Sequence, residues 1–285
     1  MRTLLRQRRS PPTLHGHTLT ETPRAKPLHL LAEHAAQFGD DEVAAAYRHR
    51  PPYPPETFVI LESLLGSHPR TVLELGAGTG DFTVGLAPLA DYLIAVEPSR
   101  PMLERGLRRT AALHSHVEWL AITAETYVFD RRCTAVVAAE AFHWLDWHSV
   151  VPRLAMSLIP SGYLILVERA LAAPLPWDQD LRALIRTFST NRDYVPYDIV
   201  TELQARGLMA VNGRTQTDTV VYPQTVDDYV ESFHSRNGFS RARLPSARAA
   251  EFDERLKTLV RRYCQDDSVG LPVQARIAWG RPVVT

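Results

Sequence analysis

The chain has 285 residues, 45% hydrophobic and 22% charged, a globular composition long enough for one α/β domain with an added cap. Lysine plus arginine and aspartate plus glutamate both number 32, so there is no net charge to recruit nucleic acid or a membrane surface. Cys133 and Cys264 form neither a metal spacing nor a redox pair, and no apolar run approaches a membrane span; the expectation is a cytoplasmic protein with no nucleic-acid or membrane partner.

Residues 1–27 hold Arg2, Arg6, Arg8 and Arg9, and the prolines at 11, 12, 23 and 27 break any helix. They read as a flexible tail; a transit peptide is the alternative, though such peptides are Ser-rich and amphipathic. Residues 28–47 have helical composition, with a turn at Gly39-Asp40-Asp41. Arg50-Pro51-Pro52-Tyr53-Pro54-Pro55 must run extended, and a helix follows from Glu56 to Leu65 with Phe58, Leu61, Leu64 and Leu65 on one face.

The stretch from Thr71 to Phe82, TVLELGAGTGDF, carries the most information. Val72, Leu73 and Leu75 read as a buried parallel strand, which breaks into Gly76, Gly78 and Gly80 before an amphipathic segment from Phe82 to Leu89. Strand, glycine bend and helix make the first unit of a Rossmann-like nucleotide site. The spacing departs from the dinucleotide pattern, because Asp81 falls where its last glycine would stand. Glu74, two residues before the first glycine, suits a cationic ligand and repels pyrophosphate. A second strand, Tyr92 to Val96, ends at Glu97, about 20 residues past the bend, where a ribose-binding carboxylate belongs. The ligand so described has a ribose and a cation and lacks a phosphate.

Pro98-Ser99 caps a helix over 101–113, and His116 to Ile122 reads as a third strand followed by Thr123-Ala124-Glu125. Cys133 to Ala138 is a fourth, β-branched strand, Trp147 to Leu158 a helix capped by Asp146, and Gly162 to Glu168 a fifth buried strand. Beyond Ala172 the pattern gives helices at 180–188, 197–206, 226–233 and 247–263, a strand at 215–222 and a last strand at 273–284.

VLELGAGTG followed by VEPS resembles the class I S-adenosylmethionine-dependent methyltransferases. AYRHRPPYP resembles the lead-in of the trans-aconitate methyltransferase-like, small-molecule group of that family. The resemblance implies a Rossmann-like, seven-stranded, mostly parallel sheet with helices on both faces and a helical cap inserted near the C-terminus. It divides the chain into residues 28–170, the cofactor-binding core, and residues 171–285, cap helices and the last two strands completing the same domain. S-adenosylmethionine is the implied cofactor and S-adenosylhomocysteine the product. The implied cofactor contacts are Glu74, Gly76, Ala77, Gly78, Thr79, Gly80, Glu97, Pro98 and Met102, with Thr123, Ala124 and Glu125 at the adenine. Tyr47, Arg50 and Glu140 would reach the methionine end, an arginine suiting its carboxylate bidentately. Thr123 stands where the family often has an aspartate.

The implied partner is a small-molecule acceptor, an organic acid or a secondary metabolite, taken by a monomer or homodimer. Phe142, His143, Trp144, Tyr194 and Phe233 are candidates to contact it, and Arg236 and Arg241 could pair with an acidic one. His143 is the candidate general base, since a phenol, ammonium or acidic carbon must lose a proton whereas a carboxylate need not. Its alternative is to hold the loop after the fourth strand. Arg50 ahead of Pro51-Pro52-Tyr53 cannot accept from an amino group, which argues against a base-amino methyltransferase. His114 and His116 lack a nearby acid or cysteine, so no metal site is expected. The alternative function is a protein of this fold that binds the cofactor without moving its methyl group.

Overall fold

The computed structural model describes residues 25–112 and 116–284. His114 and residues 1–24 of the expected tail lie outside them. Residues 25–27 run onto the fold: the Ala25 carbonyl accepts from Arg206 Nη2 at 2.9 Å, and Lys26 Nζ donates to Leu145 O at 2.9 Å.

A single sheet organises the chain. Its parallel strands are β1 (Thr71–Leu75), β2 (Tyr92–Val96), β3 (Val117–Leu120), β4 (Cys133–Ala139) and β5 (Leu158–Leu171). β6 (Met209–Gln216), β7 (Val220–Thr225) and β8 (Ser268–Pro282) complete it, in the order β3-β2-β1-β4-β5-β8-β6, with β7 also paired to β8. β8 runs antiparallel to β5, β6 and β7. The central strands are apolar in both phases of the pleat because both faces are covered. Leu73, Leu75, Val136 and Ala138 pack into one core, and Val72, Ala135 and Val137 into the opposite one.

Short helices α1 (Ala32–Ala35) and α2 (Asp41–Ala46) precede α3 (Glu56–Leu64). α3 covers one face together with α4 (Thr83–Leu86), through Leu61 and Leu86. α5 (Arg100–Thr110) flanks the β3 edge; its Gly106 lies against the Trp119 ring, where an added Cβ would fall 2.2 Å from the indole. α6 (Trp147–Ser157), capped by Asp146 accepting from His148 N–H at 3.2 Å, covers the other face. With it is α8 (Ile199–Ala205), which stops at Gly207 with φ +68°.

α7 (Asp178–Phe188), α9 (Val226–Phe233) and α10 (Ser246–Arg261) build a second apolar core around Phe252. The near half of β8, through Val269, Leu271 and Val273, closes it. The far half, through Ala275 and Ile277, belongs to the sheet core, so one strand serves both.

The expected single strand at 215–222 is broken in its middle, and the last strand begins earlier than 273. Thr217 interrupts the edge without leaving polar groups stranded: its N–H donates to Ala275 O at 2.9 Å and its hydroxyl accepts from Ala275 N–H at 3.0 Å. Of the cap helices, α7 precedes β6, while α9 and α10 lie between β7 and β8.

Candidate active site

A cavity of about 700 Å3 opens at the carboxyl ends of the parallel strands, where sheets of this kind bind ligands. The glycine bend forms its floor and is pinned from behind, Gly76 and Ala77 N–H both donating to Val96 O at 2.9 and 3.1 Å. Gly78 has φ +58°, and a Cβ there would project into open space, so a side chain would both strain the bend and fill the cradle. Glu97 is held ready: Oε2 accepts from Gly78 N–H and Oε1 from Ser99 N–H, each at 2.8 Å. Burial raises its carboxyl above the usual range.

Glu74 is 1% exposed, and desolvation pushes its carboxyl up to about 8. Its Oε2 and the hydroxyl of Thr79 have no hydrogen-bond partner among the described residues, and the Thr83 hydroxyl stands beside the carboxyl. A buried acid without a counter-charge is costly unless a ligand completes it. The acid behind the bend, the pre-set acid beyond it and the open cradle at Gly78 fit the ammonium and ribose of S-adenosylmethionine.

Thr79, Pro98, Met102, Thr123, Ala124 and Glu125 all line this cavity. The Thr123 hydroxyl is within 3.2 Å of both the N–H and the hydroxyl of Thr126. Glu125 Oε1 accepts from Asp146 N–H at 2.8 Å, which ties the turn after β3 to the loop after β4. Gly80 does not line the cavity. With φ +77° and its Cβ position 3.1 Å from Gly106 Cα, it serves the approach of the bend to α5.

At the far end Glu140, in the left-handed region at φ +53°, gathers the charges. Its Oε1 accepts from Arg169 N–H at 3.0 Å, and its Oε2 pairs with Arg50 Nη1 at 3.2 Å and Arg169 Nη2 at 3.4 Å. Burial raises the Glu140 carboxyl, but Arg169 and Arg50 prevail and hold it below its ordinary value. Arg50 also donates to Ser235 Oγ at 2.8 Å and Ser235 O at 2.6 Å, joining the sheet edge to the end of α9. The Arg50 guanidinium lies 4.0 Å over the Tyr47 ring and that of Arg169 4.5 Å over Tyr53.

The acceptor candidates divide. Trp144 lines the cavity, edge-on to Phe38 at 5.3 Å. Phe142 and Phe233 do not line it: they are 2% and 0% exposed, in the sheet core and the second core. Tyr194 is 59% exposed and stands against His29 at 5.4 Å, also away from it. His143 is half-buried, edge-on to Trp144 at 4.8 Å and Tyr197 at 6.4 Å, and desolvation pushes it down to about 4. It is therefore neutral and weakly basic near pH 7, an unfavourable setting for a general base.

Sequence reasoning missed Arg169 and the strap that carries Lys26, Leu30 and Phe38, all of which line the cavity. Glu168-Arg169 closes the apolar run of a parallel strand near its ligand-binding end, so Arg169 carried a usable signal; the strap carried none. Among the described residues no group of three or more His, Cys, Asp or Glu could hold a metal ion, and no helix is long and apolar enough to cross a membrane.

Residues 72–162 match the family described as Methyltransferase domain. Uncharacterized methyltransferases of Mycobacterium tuberculosis and Mycobacterium bovis are 38% identical over 143 residues, 50% of this chain and 56% of each relative. The chain thus spans about half the length of the curated relatives it matches. A solved chain from Anaeromyxobacter dehalogenans, described as a methyltransferase, superposes with a TM-score of 0.59 at 20% identity, over 82% of this chain and 99% of that one. A SAM-dependent methyltransferase from Thiobacillus denitrificans, in complex with S-adenosylhomocysteine, superposes with a TM-score of 0.51 at 19% identity, over 85% and 97%. Residues 72–162 thus match a methyltransferase domain, and the sheet that carries them has the fold of these solved methyltransferases.

Proposed function

We propose that this protein binds S-adenosylmethionine and transfers its methyl group to a small molecule, an organic acid or a secondary metabolite, leaving S-adenosylhomocysteine. The observation that carries the reading is the buried Glu74 carboxyl, whose Oε2 lacks a hydrogen-bond partner among the described residues, behind a phosphate-free glycine bend whose far side is set by Glu97. When bound, the cofactor supplies a methyl group activated on a sulfonium. Glu97 receives the ribose hydroxyls, Glu74 the positive end, and the turn Thr123–Glu125 lines the adenine side. Arg50 and Arg169 offer guanidinium groups to the methionine carboxylate, in competition with Glu140.

What remains for the protein is alignment and exclusion of water, and alignment alone is worth roughly 7–11 kcal/mol in favourable cases. Leu30 and Phe38 of the strap and Trp144 of the loop after β4 give the cavity apolar walls that serve this end. Proton removal is not assigned to His143, whose basicity is suppressed to about 4. That favours an acceptor whose nucleophilic lone pair is already free, as in a carboxylate.

Incubation with methyl-labelled cofactor and a panel of organic acids, phenols and amines tests the proposal. Label moving to an acceptor, with stoichiometric S-adenosylhomocysteine, is expected. Tight cofactor binding with no transfer across the panel would favour the alternative reading, a protein of this fold that does not methylate.

A further inference from the structure

Lys26 stands at the start of the strap and lines the cavity beside Glu125, Leu145 and Asp146. Its Nζ donates to Leu145 O at 2.9 Å and lies 5.2 Å from the centre of the Trp147 ring, so the ammonium is held at two points. Leu145 O is its one hydrogen-bond partner among the described residues, and no carboxylate pairs with it there. An ammonium has three N–H donors and no acceptor, so donors are left over on the cavity wall. Burial pulls this ammonium down to about 8, although the charges of Asp146 and Glu125 pull it up. A partly desolvated cation with spare donors is completed by a ligand that accepts.

The position of Lys26 says which part of the ligand that is. The turn Thr123–Glu125 and the loop carrying Leu145 and Asp146 are joined through Glu125 Oε1, which accepts from Asp146 N–H at 2.8 Å. Lys26 closes over this junction, on the adenine side of the proposed cofactor site. Thr123 brings no carboxylate there, and its hydroxyl is within 3.2 Å of the N–H and the hydroxyl of Thr126. Glu125 Oε2 carries no hydrogen bond among the described residues. Adenine presents an exocyclic amine that donates and ring nitrogens that accept. The wall offers the complement, a carboxylate oxygen at Glu125 and an ammonium at Lys26.

Resting on the S-adenosylmethionine reading of this cavity, we propose that Lys26 donates a hydrogen bond to a ring nitrogen of the cofactor's adenine, so that the strap reads the base as well as walling it in. Lys26 is then a specificity-determining residue for the cofactor, and its second bond, to Leu145 O, couples base recognition to the placement of the strap.

The test is calorimetric, on the full chain, with S-adenosylhomocysteine and its 1-deaza, 3-deaza and 7-deaza analogues, in each of which C–H replaces one ring nitrogen. The wild type is expected to bind at least one analogue about tenfold or more weakly than S-adenosylhomocysteine, and that analogue identifies the nitrogen. Lys26→Met keeps a long apolar stem and removes the donor. It is expected to bind S-adenosylhomocysteine about tenfold more weakly and to hold that analogue and the parent compound within about twofold of each other. A lysine that only ties the strap to Leu145 would weaken all four compounds alike when replaced and would leave the discrimination in place. Equal binding of all four by the wild type, or the same discrimination kept by Lys26→Met, therefore overturns the proposal. The arms are separable. S-adenosylhomocysteine bound without discrimination defeats this inference alone; no heat from any of the four with the folded wild type defeats the S-adenosylmethionine reading itself.

Discussion

Glu74 shows how a single residue couples stability to the proposed function. Its carboxyl stands at about 8 in the fold against 4.5 ordinarily, because burial disfavours the charge. The unfolded chain therefore releases this proton from about pH 4.5 upward while the folded protein keeps it, so folding loses stability between about pH 4.5 and 8 and the loss levels off above. Glu74→Gln removes that penalty. We expect the ligand-free variant to be more stable than the wild type by about 2–4 kcal/mol at pH 8, with the gap closing near pH 4, as read by denaturant unfolding. The same change should weaken S-adenosylhomocysteine binding by about tenfold or more, because the amine loses its carboxylate. The motif made Glu74, Gly78 and Glu97 conspicuous, since each is defined by its distance from the bend along the chain. Phe142 and Phe233 were not separable from core residues by sequence, because an aromatic side chain on a cap or loop is equally suited to packing and to ligand contact. Arg169 reaches Glu140 across 29 residues and Arg50 reaches Ser235 across 185, pairings no local pattern encodes.

At the scale of elements, the approach of α5 to the sheet edge rests on absent side chains. Gly80 at the bend and Gly106 on α5 meet within 3.1 Å of a would-be Cβ, and Trp119 of β3 closes over Gly106 with its indole N–H donating to Thr110 Oγ1 at 3.0 Å. A valine at 106 would collide with the ring, and the helix cannot retreat without dragging Ser99 and Met102 from the cavity wall. Gly106→Val is therefore expected to cost about 1–3 kcal/mol and to weaken cofactor-product binding as well, whereas an exposed-face change such as Leu107→Ala should leave binding alone. Thermal melts and a binding isotherm on both variants check this. The buried strands were legible because parallel strands covered on both faces are continuous apolar runs. The break at Thr217 was not, because its hydroxyl takes over a ladder bond without disturbing the alternation around it.

For the whole molecule, β8 joins two apolar cores and Arg50 fastens the end of α9 to the loop after β4. Cap and sheet should then unfold together. Phe252, fully buried against Phe188, Phe233 and Phe239 at 5.6, 5.7 and 4.8 Å, is the centre of the second core. Phe252→Ala is expected to cost about 3–5 kcal/mol and to lower one calorimetric transition. A separate low-temperature peak for the cap would contradict the shared strand. The strands and helices were readable in chain order from the succession of apolar runs, and the helical cap from the family resemblance. The packing of the helices on both sides of the β6–β7 edge into one core was not, because contacts between distant helices leave no mark on local periodicity.

The central claim is that the bend between Glu74 and Glu97 holds an aminoacyl nucleoside. Titrating S-adenosylhomocysteine into the folded protein by calorimetry tests it most directly, with Gly78→Val, its fold checked by circular dichroism, alongside as a variant whose cradle is filled. We expect one site per chain in the wild type, affinity rising as pH goes from about 6 to 8 while Glu74 ionises, and no saturable heat in Gly78→Val. Absence of heat with the folded wild-type protein, or equal binding by Gly78→Val, would contradict the account.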